Sequence, residues 1–289
     1  MSVDAFSTAT TVDDAVAAVA TGARPVAGGT DLVVGARSGK AALPDSIVAI
    51  HRIAELRGVG LLADGRLRLG ALASHAEIAA SEIVRSNFTA LSDACSIVGS
   101  HATRAQGTVG GNLMNASPAM ETGGPLVCFG AAAELHSPGG SRSVAIEDLW
   151  AGPGQTTAHP DELLVAIEVP APAAGTGSAY LRLEYRRQME IAVVGATAVV
   201  TMADGLVTGV RIAMTALSPT IRRVPEAEAA LIGSDGGVAA IAAAGEAVAA
   251  AASPISDVRG SAEYRRAMAA VIARRAIEKA ASRAREGLA

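Results

Sequence analysis

Apolar residues recur at helical spacing from Thr11 to Ala20, with Asp13-Asp14 in the first turn and Gly22 beyond the last. Carboxylates suit the positive end of the peptide dipoles and glycine suits a stop, so this segment predicts a helix. Arg24-Pro25-Val26-Ala27 and Ser46-Ile47-Val48-Ala49-Ile50 are short apolar runs that predict extended segments. The period changes to two around Asp64-Gly65, where Leu61-Leu62 and Leu67-Arg68-Leu69 read as the arms of a hairpin. Ser74 is placed to cap a helix carrying Ile78, Ile83 and Val84 on one face. Leu126 to Leu135 and Glu162 to Val169 are strand or helix material around the turn Pro138-Gly139-Gly140. Ile191 to Thr201 and Gly209 to Ala216 are two β-like runs separated by Asp204-Gly205. The remainder predicts helices at Pro225 to Ile232, Val238 to Ala252 and Ala262 to about Arg283. In the last of these, Met268, Val271, Ile272 and Ile277 share one face.

Two stretches break these patterns. Gly99 to Gly124 is rich in Gly, Ser, Thr and Asn and poor in core residues, which predicts a long functional loop. Pro170-Ala171-Pro172-Ala173-Ala174-Gly175-Thr176-Gly177 reads as a linker. The expected architecture is mixed α and β, with an all-helical tail on a small sheet.

Composition narrows the function classes. At 289 residues the chain has room for two domains. Half of it is hydrophobic but only 2% aromatic, so the core must be aliphatic and alanine-rich. The same scarcity, with a formal charge of −4, removes both the stacking platforms and the basic footprint of a nucleic-acid binder. Cys95 and Cys128 are too few for an iron–sulfur or all-thiolate zinc site within the chain, and read as small buried hydrophobes. Met1-Ser2-Val3-Asp4 lacks the basic and apolar regions of a secretory signal, and no segment reads as transmembrane. The expectation is a cytoplasmic protein.

Several familiar motifs fail on context. Gly58-Val59-Gly60-Leu61-Leu62-Ala63 runs into a hairpin turn rather than a helix, so it offers no helix start for a dinucleotide. Gly39-Lys40 lacks the Ser or Thr of a phosphate-binding loop, and no nucleophile elbow or paired-histidine zinc motif occurs. His51, His75, His101, His136 and His159 are scattered and read as surface or capping groups. Two double glycines remain: Val26-Ala27-Gly28-Gly29-Thr30-Asp31-Leu32, and Gly107-Thr108-Val109-Gly110-Gly111-Asn112 followed by Ser117-Pro118. Glycine reaches positive φ and lets amides approach a ligand, and successive amides turned one way form an anion-binding nest. Thr30, Thr108, Asn112 and Ser117 add neutral donors. The residues themselves leave two readings open, a pair of ordinary turns or a nucleotide-like cofactor held between two loops.

Ala27-Gly28-Gly29-Thr30-Asp31-Leu32, Arg104-Ala105-Gln106-Gly107-Thr108-Val109-Gly110-Gly111-Asn112-Leu113 and Ala116-Ser117-Pro118 closely resemble the FAD-binding medium subunit of molybdenum hydroxylases. This is the carbon monoxide dehydrogenase and xanthine dehydrogenase family. Gly152-Pro153-Gly154-Gln155-Thr156, Arg186-Arg187 leading to Glu190-Ile191-Ala192, and Arg259 to Arg266 extend the likeness in order along the chain. The resemblance implies an α+β fold. A two-lobed FAD-binding domain of the vanillyl-alcohol-oxidase (PCMH) type would cover 1–175, with lobes of about 1–55 and 56–175. A small antiparallel sheet with a helical bundle would follow at 176–289. By position, it implies that residues 27–32 and 108–112 hold the diphosphate and ribityl region, with Ser117 a further cofactor-binding residue. Val98 and Gly99 would line the cleft and Glu121 would lie near the sugar, where relatives carry Asp. Arg182 would lie near a flavin-contacting position, and Ile191 would pack beside the ring.

The activity implied is that of an electron-transfer subunit rather than a substrate oxidiser, with no catalytic residue and no metal of its own. A small [2Fe–2S] subunit would deliver electrons from a large molybdenum-cofactor subunit, and FAD in this chain would pass them to an outside acceptor, in a dimer of heterotrimers. Carbon monoxide, purines, N-heterocycles, aldehydes and aromatic thioesters all stand open as the complex's substrate. Two alternatives are a free-standing FAD oxidoreductase, disfavoured by the absence of His from the C-terminal third, and a flavin-free assembly subunit. Gly110→Val or Gly29→Val is expected to abolish FAD retention while leaving the chain folded.

Overall fold

The computed structural model of the chain describes residues 3–39 and 41–287. Met1, Ser2 and Lys40, named above for the chain start and the Gly39-Lys40 pair, lie outside the described residues.

The first layer is a parallel three-stranded sheet in the order β1-β3-β2, formed by β1 (Ala5–Thr8), β2 (Arg24–Val26) and β3 (Ser46–Ala49). Two helices connect its strands, α1 (Val12–Ala20) and α2 (Thr30–Arg37). Thr11 caps α1 by accepting from the Asp14 amide at 3.1 Å, and Gly22 follows at φ +94°. Ala15, Val16 and Val19 of α1 join Val48, Ile53, Leu56 and Val165 in one apolar cluster.

The second layer is a five-stranded antiparallel sheet, β4-β5-β10-β6-β7. The hairpin of β4 (Val59–Leu61) and β5 (Leu67–Gly70) turns at Gly65, whose φ is +86°. Between β5 and the return of the sheet the chain is helical, through α3 (His75–Ala80), α4 (Glu82–Asn87), α5 (Thr89–Ile97), α6 (His101–Gln106), α7 (Val109–Met114) and α8 (Gly123–Cys128). Then come β6 (Ala132–Ser137), β7 (Gly140–Ala145), the short pair β8 (Trp150–Gly152) and β9 (Gln155–Thr156), and β10 (Leu163–Val169). This unit's core gathers Leu69, Ile78, Phe88, Leu91, Leu126, Leu135 and Ile167, together with Cys95 and Cys128.

Two expectations are corrected here. Ser81 (φ −64°, ψ 124°) leaves the helical region and divides the helix expected after Ser74 into α3 and α4. The stretch Gly99–Gly124 is not one long loop. Its hydroxyl residues act as helix caps: Ser100 accepts from the Thr103 amide at 3.2 Å and Thr108 from the Gly111 amide at 3.1 Å. Helices of six residues bury too few large side chains to leave a periodic signal.

The third layer is an antiparallel sheet, β11-β12-β13-β14, built from β11 (Thr176–Leu183), β12 (Val194–Ala203), β13 (Leu206–Thr215) and β14 (Arg222–Arg223). The segment 170–177, expected as a linker, already enters β11 at Thr176. Behind the sheet lie α9 (Pro225–Ala229), α10 (Val238–Ala251) and α11 (Ala262–Glu286). The face of α11 turned to the sheet is mostly alanine: Ala269, Ala273, Ala276, Ala280 and Ala284 are fully buried. Small side chains bring backbones together, and a Cβ on Gly177 would sit 2.3 Å from the Ala280 carbonyl oxygen. Of the expected face, Ile272 and Ile277 are buried, whereas Met268 and Val271 are half-exposed. No helix among the described residues is long and apolar enough to cross a membrane.

Candidate functional site

The first double glycine sits where β2 runs into α2. Gly29 is the N-cap residue in the left-handed conformation, φ +69°, ψ 5°. That turn leaves the amides of Gly28, Gly29 and Thr30 with no hydrogen-bond partner among the described residues. The start of a helix, with its own N–H groups pointing outward, is an anion-binding arrangement. Ala27 packs against the N-terminal core, and Asp31 and Leu32 occupy the first turn of α2.

The second double glycine begins α7. Here the amides are occupied: Val109 donates to the Ala73 carbonyl at 2.9 Å and Gly110 to the Ala71 carbonyl at 3.0 Å. Gly111 donates to the Thr108 hydroxyl, and Asn112 to the Thr108 carbonyl at 3.0 Å. A Cβ on Gly110 would lie 2.7 Å from the Ala71 oxygen and 2.8 Å from the Ala71 Cβ. The second pair of glycines therefore serves close packing between the chain at 71–75 and the chain at 107–110. This corrects the expectation that both loops turn their amides outward. It also corrects the expectation that Gly110→Val spares the fold, because a valine there collides with backbone.

The two loops nevertheless meet. A Cβ on Gly28 would stand 1.9 Å from the Gln106 oxygen, and one on Gly107 would be 3.5 Å from both the Thr30 Oγ1 and the His75 ring. Beneath this junction, His75 is 2% exposed and its Nδ1 has no hydrogen-bond partner among the described residues. Its amide donates to the Gly107 carbonyl at 3.1 Å. Burial, aided by the positive charge of Arg104, pushes the His75 pKa down to about 4. Arg104, also buried, donates to the Val98 carbonyl at 3.0 Å and lies 3.1 Å from His101 Nδ1. Arg104 opens the motif that carries the family resemblance but is given no role there, and His75 corrects the expectation of a surface or capping histidine. Its burial follows from the contact with residue 107, thirty-two positions away, which periodicity does not report.

From the glycine loops, contacts run in a closed circuit through most of the other expected positions. Gly107 donates to the Thr103 carbonyl at 2.6 Å, and the Thr103 side chain packs against Gly99, whose φ is +51°. The Gly99 carbonyl accepts from the Met189 amide at 2.9 Å, and the Thr103 hydroxyl approaches the Met189 sulfur at 3.7 Å. One residue on, the Glu190 carbonyl accepts from Arg182 Nη1 at 3.2 Å, and Arg182 also donates to Glu121. Thr122 then donates to Asn112 Oδ1 at 2.6 Å, which returns the path to α7. Val98 is buried at the C-terminus of α5, Ile191 is exposed beside Glu190, and the Ser117 hydroxyl accepts from the Ala119 amide at 3.3 Å.

The expected positions Glu121 and Arg182 are thus partners of each other, both nearly buried (side chains 8% and 1% exposed). Arg182 is shared with Glu184, through Nε and Nη2 at 2.5 Å each. Burial raises the Glu121 pKa to about 7 against the opposing pull of Arg182. A recess of about 360 Å³ lined by Phe129, Pro170, Thr201, Arg211 and Ile232 contains none of the expected site residues and lies apart from this circuit.

These features fit a flavin nucleotide. Three adjacent free amides at a left-handed helix start suit phosphate oxygens, and half-buried Asn112 and Ser117 supply neutral polar edges. Known proteins point the same way. Residues 2–172 match the model of the FAD binding domain in molybdopterin dehydrogenase, and residues 179–280 that of the CO dehydrogenase flavoprotein C-terminal domain. The carbon monoxide dehydrogenase medium chain of Afipia carboxidovorans is 34% identical over 91% of this chain and 90% of its own length. The xanthine dehydrogenase FAD-binding subunit of Escherichia coli O157:H7 is 30% identical over the same shares. A chain of reconstituted CO dehydrogenase from Oligotropha carboxidovorans superposes with a TM-score of 0.93 at 32% identity, covering 98% of this chain and 99% of that one. With a matched family model over more than half its length, a second over most of the rest and the same fold throughout, the chain belongs to the FAD-binding subunits of molybdenum hydroxylases.

Proposed function

We propose that this chain carries FAD as the electron-transfer subunit of a heteromeric molybdenum hydroxylase. It would take electrons from [2Fe–2S] centres of a small partner subunit, fed by a large molybdenum-cofactor subunit, in a dimer of heterotrimers in the cytoplasm. The observation that carries the reading is the left-handed Gly29 turn, with the unpaired amides of Gly28, Gly29 and Thr30 set against the Gln106-Gly107 backbone. Residues 27–32 would bind the diphosphate. Residues 108–112 would shape the floor beneath it, offering Asn112 as a side-chain contact. Val98, Gly99, Ser117 and Ile191 would border the remainder of the cofactor, and Glu121 and Arg182 would act on it as a linked pair. FAD supplies the capacity to accept two electrons and release them to an external acceptor. The chain's residues hold and orient it, and no side chain on the circuit is assigned a catalytic role. The proposed domains are 1–175, with lobes of about 1–55 and 56–175, and 176–289.

The test is purification of the complex with its natural partners, followed by flavin, iron and molybdenum quantitation and identification of the co-purifying chains. One flavin per copy of this chain is expected, with iron and molybdenum travelling in other subunits. A fully assembled complex without flavin would overturn the reading in favour of an assembly subunit. Flavin bleaching by an organic substrate in the isolated chain would favour the free-standing oxidoreductase.

A further inference from the structure

One cluster in the molecule holds more acid than base where water is scarce. Arg182, from β11, lies between Glu121, in the turn before α8, and Glu184, at the end of β11. Glu184 accepts a hydrogen bond from Nε, with Nη2 at 2.5 Å from the same oxygen but outside hydrogen-bonding geometry, and is 26% exposed, whereas Glu121 accepts from Nη1 and is 8% exposed. With both carboxylates ionised, the trio carries one uncompensated negative charge. Removing such a charge from water is costly, and protonation of the more buried carboxyl relieves it.

The other ionisable groups nearby do not supply the missing cation. Two buried groups that sense the Glu121 charge, the Cys95 thiol of α5 and the Tyr180 hydroxyl of β11, are held neutral, because burial, aided by that charge, pushes both pKa values up. From the segment after β11, Glu190 brings a third carboxylate. Arg186 at 3.5 Å and Arg259 at 3.9 Å pair with it, but they are 67% and 33% exposed, Arg259 is shared with Asp257, and among the described residues neither pairs with Glu121. Burial accordingly holds the Glu121 pKa near 7, where ordinary buffers can titrate it.

The cluster is also wired to the cofactor loops. Thr122, next to Glu121, donates to Asn112, and Arg182 donates to the Glu190 carbonyl beside Ile191. An FAD diphosphate seated near these loops brings two further negative charges. Added anionic charge disfavours an ionised Glu121, and linkage requires that protonation favour the anion in equal measure.

We infer that Glu121 is a proton-holding positioning residue of the flavin site, taking one proton from solvent when FAD binds and standing neutral against Arg182 in the loaded subunit. This rests on the FAD-carrying function proposed above and goes beyond it, in assigning a proton to cofactor loading. It also gives a reason for a glutamate at a position where the resemblance implies a fixed sugar contact. The group's first task is to match the charge of the site.

The experiment uses the assembled complex stripped of flavin and titrated with FAD at pH 6, 7 and 8, with heats of binding at pH 7.5 in two buffers of different ionisation enthalpy. For the wild type, the dissociation constant should rise about tenfold from pH 6 to pH 8, following a group near pH 7 that must be protonated, with net proton uptake at pH 7.5. Glu121→Gln should flatten that profile and bind about tenfold tighter than wild type at pH 8, while matching it at pH 6. Glu121→Asp, which keeps a carboxyl, should keep a pH-dependent profile. Absence of proton uptake by the wild type would overturn the inference even if no variant could be prepared. An unchanged slope in Glu121→Gln, or uniformly weaker binding at all three pH values, would also overturn it and leave Glu121 a plain structural contact. A wild-type complex that takes up no FAD at any pH would instead remove the cofactor function itself.

Discussion

At Gly28-Gly29 the chain turns through a left-handed residue and leaves three amides without partners among the described residues. At Gly110-Gly111 four consecutive amides, from Val109 to Asn112, are already paired with Ala73, Ala71 and Thr108. The two loops share a dipeptide, flanking hydroxyl residues and a place at a helix start, so residue identity alone gives them one job. Their surroundings separate them. Gly29 has its nearest non-neighbour atoms at 3.7 Å and is glycine because of its φ, whereas Gly110 has ordinary φ and is glycine because Ala71 is pressed against it. One loop leaves amides free at a helix start, as the proposed FAD site requires, and the other packs against it through Gln106 and Gly107.

The sharpest way to break this comparison is to add side chains at the packed glycines. Gly28→Val and Gly110→Val place a Cβ 1.9 Å and 2.7 Å from carbonyl oxygens of the facing chain, and backbone cannot swing aside as a long side chain does. Each should cost on the order of 3 kcal/mol or more, comparable to severe overpacking in a core, with loss of soluble complex as the first sign. Urea denaturation of either variant, giving wild-type stability with flavin lost, would show that these glycines serve the cofactor rather than the packing.

A second effect separates the groups beneath the loops. His75 is held neutral by burial, with a pKa near 4 against 6.5 for the free side chain. A lowered histidine pKa means that the unfolded chain binds the extra proton between those values. Stability is therefore complete above about pH 7 and is lost as pH falls towards 4. At pH 5 the loss amounts to about 2 kcal/mol relative to pH 7. His75→Gln should remove this slope, so that the gap between variant and wild-type melting temperatures differs between pH 5 and pH 7. Parallel melting curves across that range would show His75 to be protonated or solvated in the folded state.

How much of this was legible in the residues follows from range. The capped helix α1, the Asp64-Gly65 hairpin and the strand leading into Gly28-Gly29 rest on contacts within a few positions, and each stands where its pattern places it. The double glycines, too, stand out in the sequence, but the left-handed turn at Gly29 and the pressed contact at Gly110 give the same dipeptide, so residue identity did not tell them apart. What the pattern did not carry was partnership at a distance. Glu121 and Arg182 are 61 positions apart and lie in different layers, so nothing local marks them as a pair. The region 99–124 looked like loop because its helices are short, α7 contains two glycines, and the same Ser and Thr residues that favour turns here favour caps. Strand β11 hid behind the small residues Gly177, Ser178 and Ala179, which let it lie against α11.

Gly29 allows the comparison to be sharpened rather than broken. A Cβ on Gly29 would meet only ordinary van der Waals contacts, with Val26 at 3.7 Å and Val33 at 3.8 Å, so Gly29→Ala meets a conformational cost alone, about 1–2 kcal/mol for an L-residue in the left-handed region. If the turn relaxes to escape that cost, the amides of Gly28, Gly29 and Thr30 no longer point one way. Flavin content should then fall further than stability does, the reverse of the order expected for Gly110→Val. Gly29→Asn, which tolerates the left-handed region better, should recover part of both. Equal losses of flavin and stability would mean that the turn is merely structural.

The smallest effect tests the supporting loop. Thr108 caps α7 with its hydroxyl, accepting from the Gly111 amide at 3.1 Å, and its carbonyl accepts from Asn112. Thr108→Ala frees the Gly111 amide and should cost about 1 kcal/mol, whereas Thr108→Ser keeps the acceptor and should cost less. Gly111 is exposed, so its freed amide can be satisfied by water and the helix start need not unravel. The Val109 and Gly110 amides remain on Ala73 and Ala71, and the floor beneath the first loop keeps its position. Flavin content of Thr108→Ala should therefore stay near wild type while its melting temperature drops by a few degrees. A large flavin loss at nearly unchanged stability would place the Thr108 hydroxyl on the cofactor itself and give the second loop a direct role in binding.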